Sequence, residues 1–372
     1  MRDLMASLAR LIVVRLRRDE RGVVGVIVAI ALGAGVLTGM GALVIDVGQL
    51  YQERAELQNG ADAAALAVAK SCALGACTPA VAGQEADDNA SSLTGGTEGV
   101  ALVCGSGSLG SCPASTGSLT SCPPAPPAGT NFVEVFTETQ TASGSTLLPP
   151  VFGQALLGSG YQGTTVGACA QAEWGPPSAA STVALTISAC EWDQATQQGA
   201  VFASAPPYSQ NPLPAASFDQ VLMQNPGNGT GCATEPAGAD GPATFGWAAD
   251  ATGNCTLPIT GPTFAESADI LVTTACLTAL QNAQQNQIPI LVPVYVSLNT
   301  GADTYALKGF ADFVVTGYNL APDFFEPDWL NPANTCTGTT YCLTGYFVQG
   351  VIPSTGSFTG PSLGASVIDL TG

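Results

Sequence analysis

The chain has 372 residues, room for two average domains or one large one, and 46% of them are hydrophobic, enough for a sizeable core. Only 10% are charged, and six of the nine basic residues (Arg2, Arg10, Arg15, Arg17, Arg18 and Arg21) crowd the N-terminus, leaving a body of strong negative charge within a net -19. That body repels phosphate and excludes nucleic acid as a partner, while the absence of His removes Ser-His-Asp triads, Cys-His pairs and His-ligated zinc.

Residues 1–22 read as a basic tail. Within it, residues 4–16 (LMASLARLIVVRL) are apolar with interspersed Arg and suit either an amphipathic helix on a membrane face or a disordered tail. Residues 23–45 (VVGVIVAIALGAGVLTGMGALVI) carry no charge. At ~1.5 Å per residue such a run spans the ~30 Å of a bilayer's hydrocarbon. Arginines on its N-terminal side predict a cytoplasmic N-terminus and an exported body. A signal peptide would have an apolar region of only ~7–15 residues, so the reading is an uncleaved, single-pass transmembrane helix in the cell membrane. Gly35 and Gly39, with Gly41 nearby, have the small-x-x-x-small spacing that permits helix-mediated self-association in lipid.

Residues 46–70 continue in helical register. Val47, Leu50, Arg54, Leu57, Ala61, Ala64 and Val68 form an apolar seam with one Arg interruption. Six alanines between positions 61 and 69 raise helix propensity, and only Gly48 and Gly60 oppose it. The pattern predicts one helix from about Val23 to Lys70, of order 70 Å long. Its outer half would lay the seam either on a partner or on the protein's own body.

The stretch around this helix resembles the N-terminal segment of TadG-like proteins of Tad (tight adherence, Flp pilus) assembly systems. The residues that carry the resemblance are Arg21-Gly22 before the apolar run, then Asp46-Val47-Gly48 and Leu57-Gln58-Asn59. Ala61-Asp62-Ala63-Ala64-Ala65-Leu66-Ala67 completes the set. Later pieces (AEWGPP, LTISACEW, FGWAADATGNC, GFADFVVTGY) resemble the longer actinobacterial members more loosely. The resemblance implies membrane attachment and partners among pilus-assembly or envelope proteins. Two departures limit it. No Asp-x-Ser-x-Ser motif occurs, so the von Willebrand A-type domain of some members is not expected. The position five residues into the apolar segment, where pilins processed by prepilin peptidase carry Glu, is Ile27.

All twelve Cys follow Lys70, and no Cys-x-x-Cys pair occurs. Cysteines confined to one side of an apolar run read as disulfides in an oxidising compartment. Connectivity does not follow from sequence. Proximity alone suggests Cys72–Cys77, Cys232–Cys255 and Cys336–Cys342, with the other six left open.

Residues 71–130 are rich in Gly, Ser, Thr and Pro and read as a loop-rich, stapled lead-in. Residues 131–372 read as a mainly β domain, sandwich-like or α+β. NFVEVFTET alternates with period two, and TVGACAQAEWG, STVALTISACEWD, IPILVPVYVSL, YALKGFADFVVTGYNL and TGYFVQGVIP are apolar or β-branched runs between turn residues. One helix is expected around Ser267–Gln285.

Three constellations bear on chemistry. Glu173-Trp174 and Glu191-Trp192-Asp193 set carboxylates beside indoles, a combination suited to sugar rings and glycosidic cleavage. Strand alternation, however, puts Glu173 and Trp174 on opposite faces. Asp323, Glu326 and Asp328 offer oxygen ligands for Ca²⁺, but their spacing matches no EF-hand loop, and an acidic exposed loop is the simpler reading. No phosphate-binding Gly motif occurs in a strand–helix context. The expected function is a non-catalytic, membrane-anchored component of a Tad-like pilus-assembly or surface-adhesion system, without metal or cofactor. The alternative is a membrane-tethered carbohydrate-binding or carbohydrate-cleaving protein. Exposed Trp174 or Trp192 beside two carboxylates would favour the alternative, and burial of both indoles the former.

Overall fold

The computed structural model describes residues 20–33, 36–94, 98–115, 121–141, 143–152, 154, 160–224, 232, 244–267, 273–299, 301–321, 324–334, 336, 341–352 and 358–371. Residues 4–16, Gly35 and Asp323, named above, lie outside them.

The helical stem comprises α1 (Glu20–Gly33) and α2 (Val36–Ala73), with residues 34 and 35 outside the described set. The expected helix from Val23 to Lys70 is helical on both sides of those two residues. Among the described residues no helix is long and apolar enough to cross a membrane. The described part of the uncharged run lies in α1 and in the first turns of α2, which turns polar from Asp46 onward.

The lead-in is more regular than its composition suggests. It supplies α3 (Pro79–Thr94) and β1 (Glu98–Gly105). Thr78 starts α3, its Oγ1 accepting the Val81 N–H at 3.3 Å. Ala82, Ala86 and Ala90 then form an i, i+4 stripe buried against α2. These small side chains account for a helix in a stretch whose larger apolar residues are only Val81 and Leu93.

The remaining elements are β2 (Asn131–Thr139), β3 (Gly167–Gly175), β4 (Ala180–Val183), β5 (Leu185–Ser188), α4 (Ala189–Ala195), β6 (Gln220–Met223), β7 (Phe245–Trp247), β8 (Thr256–Ile259) and β9 (Thr263–Ala265). They continue with α5 (Thr274–Asn286), β10 (Ile290–Asn299), β11 (Thr304–Ala321), β12 (Phe324–Glu326), β13 (Cys342–Val348), β14 (Gly350–Ile352) and β15 (Ala365–Leu370). Two expectations shift here. The run LTISACEWD is not a strand throughout: Ser188 ends β5 and caps α4, its Oγ accepting the Glu191 N–H at 3.2 Å. The helix expected at Ser267–Gln285 is α5, begun by the Thr273 cap, with residues 268–272 outside the described set.

The strands form three sheets. A five-stranded sheet has the order β1-β2-β3-β15-β14. An eight-stranded sheet has the order β6-β13-β11-β10-β5-β7, with β9 and β12 also paired to β11. The third is the β4-β8 ribbon. Most pairs are antiparallel, but β5–β10 and β14–β15 are parallel, so both large sheets are mixed. The protein is thus mainly β with a long N-terminal helix.

Each large sheet has its own core. Phe245, Leu280, Val292, Tyr305, Phe310 and Phe313 fill the one around the eight-stranded sheet. Gly345 is required there because a Cβ would lie 2.3 Å from the Val314 carbonyl and 2.4 Å from the Phe313 ring. The second core lies between the helices and the five-stranded sheet. It is built almost entirely from small residues: Ala61, Ala64, Ala65, Val68 and Ala69 of α2, Ala170 and Ala172 of β3, and Val133 and Val135 of β2.

All twelve cysteines are paired: Cys72–Cys77, Cys104–Cys112, Cys122–Cys169, Cys190–Cys232, Cys255–Cys276 and Cys336–Cys342. The pairing Cys232–Cys255 is corrected. Each member bonds instead to a helix, Cys232 to Cys190 of α4 and Cys255 to Cys276 of α5. Thiol labelling of the denatured, unreduced protein is expected to find no reactive cysteine, and labelling of all twelve would contradict the pairing.

Candidate functional site

Part of the set that carries the family resemblance, from Leu57 to Ala65, packs one face of α2 against the body. Leu57 is fully buried with Val166 and Ala168, and Leu50 and Leu148 pack around them. Thr137 of β2 donates its hydroxyl to the Leu57 carbonyl at 2.9 Å. One residue on, Gln58 uses its amide twice, donating to Asp62 Oδ1 at 2.8 Å and to the Cys169 carbonyl of β3 at 3.0 Å. Ala61, Ala64 and Ala65 then let the helix backbone approach the sheet. Asn59 faces outward and Gly48 has open space around it. Arg21 and Gly22 lie in α1. The seam is therefore spent on the protein's own body, which resolves the choice left open by its periodicity.

Asp46 stands at the junction between the uncharged run and the docked seam. Its carboxylate accepts the backbone N–H of Val151 and of Phe152, both at 3.0 Å, across more than a hundred residues of sequence. N-terminal to it the stem is uncovered. Val23, Val24, Val26, Ile27, Val28, Ile30, Met40, Leu43, Val44 and Ile45 are all exposed.

The carboxylate–indole pairs do not form an open site. Trp174 is 7% exposed and Trp192 3%. Trp174 lies in the helix–sheet core. Trp192 donates Nε1–H to the Leu363 carbonyl at 2.9 Å, and Lys308 sits over its ring, 5.0 Å from the centroid. The same Lys308 bonds both oxygens of Asp193, at 2.9 and 3.0 Å. Glu191 is buried, which raises its pKa to about 7. Neither of these two indoles leaves a face for a sugar ring.

The acidic run behaves as a loop lock. Asp328 is buried and accepts the N–H groups of Leu330 and Asn331 at 2.9 and 2.8 Å. Asn334 bridges it to Asp219, and Thr316 donates to Asp219 at 2.8 Å. Burial, with Asp328 beside it, pushes Asp219 up to about 9. Burial alone would also raise Asp328, but the hydrogen bonds from Asp219, Asn331, Asn334 and Leu330 hold it below its usual range. Glu326 points elsewhere and accepts from Gln281 at 3.3 Å.

Two groupings escaped the sequence. Glu134, buried and raised by that burial, lies near the sulfurs of Cys104–Cys112 and Cys122–Cys169. Those sulfurs are disulfide-bonded, so they are not thiolate ligands. The second is Asp312, in a cleft of about 960 Å³ also lined by Lys70, Leu291, Gly350, Val351 and Ile368. Its Oδ2 has no hydrogen-bond partner among the described residues, and burial pushes its pKa up to about 7. Nothing in GFADFVV marks it, because alternation alone does not say which face of a central strand is covered.

A docked helical stem, a disulfide-stapled mixed-β body and an uncovered apolar N-terminal stretch define the class of protein. Residues 23–71 match the family described as putative Flp pilus-assembly TadE/G-like. The match covers the exposed apolar run, Asp46 and the whole docked seam. Among curated proteins and solved structures, nothing matches the chain significantly.

Leu57→Ala is expected to destabilise the protein by about 2–5 kcal/mol, the usual range for truncating a buried Leu, read as a lowered denaturation midpoint. Carboxyls raised by the fold, as Glu191, Asp312 and Asp219 are, bind protons more tightly folded than unfolded. Their stabilisation is complete below the ordinary carboxylate range and is lost as pH rises through about 7 and then about 9. The thermal midpoint should therefore be higher at pH 5 than at pH 8. Asp312→Asn should flatten that difference, and an unchanged slope would contradict the assignment.

Proposed function

We propose that this chain is a non-catalytic, membrane-anchored component of a Tad-like (Flp) pilus-assembly or surface-adhesion system. The observation that carries the reading is the division of the family-matched segment at Asp46. Below it the side chains are large, apolar and uncovered, and above it the same helix is locked into the body. Exposed apolar groups cost roughly 25 cal/mol per Å² in water relative to burial, and ten of them in one uncharged run need a cover that lipid supplies. In this reading residues 23–45 cross the membrane, with the arginine cluster holding the N-terminus in the cytoplasm. The body, carrying all six disulfides, stands on the oxidising side.

A rigid stem has a mechanical consequence. Because α2 is continuous from the membrane side to Ala73, the body is held at a set height and presents its outer surfaces to pilus or envelope proteins. The absence of His and the burial of both indoles support a binding and positioning role over hydrolysis.

The test is a strain lacking the gene, scored for surface fibres and complemented with the full chain, together with capture of partners by the tagged protein. Loss of fibres restored by the full chain supports the reading. Normal fibres without the gene, and no captured envelope protein, would overturn it.

A further inference from the structure

The turn held by Asp46 has a character of its own. Residues Leu147 to Phe152 read LLPPVF, and no charged side chain lies between Glu138 and Glu173 in a chain with 28 acids. Leu148 points inward, packed with Leu50 and Leu57 of α2. Leu147, Val151 and Phe152 point out, at 40%, 55% and 42% exposure.

The backbone of the turn is equally distinctive. The Leu147 N–H donates to Ser145 Oγ at 3.2 Å, and the Leu148 N–H to the Thr164 carbonyl at 2.9 Å. Pro149 and Pro150 have no N–H. Val151 and Phe152 donate to Asp46. From Leu147 to Phe152, then, every backbone donor is satisfied by the protein or absent. An ordinary surface turn leaves such donors to water. A backbone at the edge of hydrocarbon has no water to use and must satisfy them internally.

The position fits the same requirement. Asp46 immediately follows the uncharged run, so its hydrogen bonds place Val151 and Phe152 at the level where that run ends. Tyr51, exposed, lies about 7–8 Å further along the helix axis at ~1.5 Å per residue, where a Tyr ring meets headgroups favourably.

We propose that the Leu147–Phe152 turn is a second membrane contact, a wedge seated at the hydrocarbon–headgroup boundary of the lipid bilayer beside the end of the apolar run and held there by Asp46. It rests on the anchored reading above and adds to it. The stem alone leaves the body free to tilt about one helix, whereas a second lipid contact about a hundred residues away in sequence fixes which side of the body faces the membrane. The exposed pair Phe324 and Phe325 makes a useful contrast, because Glu326 and Asp328 follow it closely and its surroundings are acidic.

The full-length Phe152→Trp chain, reconstituted into phosphatidylcholine vesicles, tests this. The emission added by the substitution, taken as the difference from the unsubstituted chain, should fall when the acyl chains are brominated near the headgroup. That of Phe325→Trp should not. Val151→Trp gives a second reporter should position 152 not tolerate the larger ring, and Asp46→Ala should weaken the quenching by releasing the turn. Vesicle flotation after alkaline carbonate treatment separates the two ideas. A chain that floats while the indole reporters at positions 151 and 152 stay unquenched overturns the wedge and leaves the anchor standing. A chain that does not float overturns the anchor and the wedge together.

Discussion

The structure depends on the contact between the alanine stripe of α2 and the five-stranded sheet. Ala61, Ala64 and Ala65 are buried in one cluster with Ala170 and Ala172, and small side chains on both surfaces let helix and sheet backbones approach closely. Dispersion attraction falls steeply with distance, and a small-residue interface gains from closeness what it lacks in side-chain area. Two cross-links add direction. Gln58 reaches the Cys169 carbonyl, and Thr137 reaches the Leu57 carbonyl, each tying α2 to a different strand. Alanine packing alone would let the helix slide, and these polar contacts set its register.

This docking explains why the segment matched by the family is helical and yet not free. An isolated amphipathic helix invites the idea of a partner, but the seam is consumed internally, on a sheet whose other strands come from as far away as β15. What remains open, among the described residues, is the part of the stem before Asp46, where large apolar side chains are exposed. Asp46 marks the change along the stem, with apolar side chains uncovered on one side and packed on the other.

The body has a division of labour of its own. Its large core around β10 and β11 uses aromatic residues in offset and edge-on arrangements, such as Phe313 against Phe347 at 5.1 Å and Tyr295 against Tyr305 at 4.8 Å. Buried carboxyls are resolved by different means. Asp219 and Asp328 sit within a net of Asn and Thr donors, while Asp312 lines a cleft with one oxygen unmatched among the described residues. An acidic chain with only three basic residues beyond Arg21 has few counter-charges, so its buried acids are held by hydrogen bonds and protons rather than by ion pairs.

Period and punctuation were legible because they are local. The three-and-four spacing of α2, the alternation of NFVEVFTET in β2 and the long apolar run of β11 follow from which side chains share a face. Signals for α3 and α4 were also present, in Thr78-Pro79 with alanines at i, i+4, and in the Ser188-x-x-Glu191 capping pattern. They were masked by composition in one case and by a short β-branched run in the other. The sequence by itself determined the uncharged stretch, the charge asymmetry, the exclusion of His chemistry and the helical seam, since each is a property of residues near one another in the chain. Only the tertiary structure decided that the seam faces the protein's own sheet, that Cys232 and Cys255 go to different helices, that both indoles are buried and that Asp46 holds a turn a hundred residues away. Those outcomes are set by which distant surfaces meet, and no spacing along the chain records that.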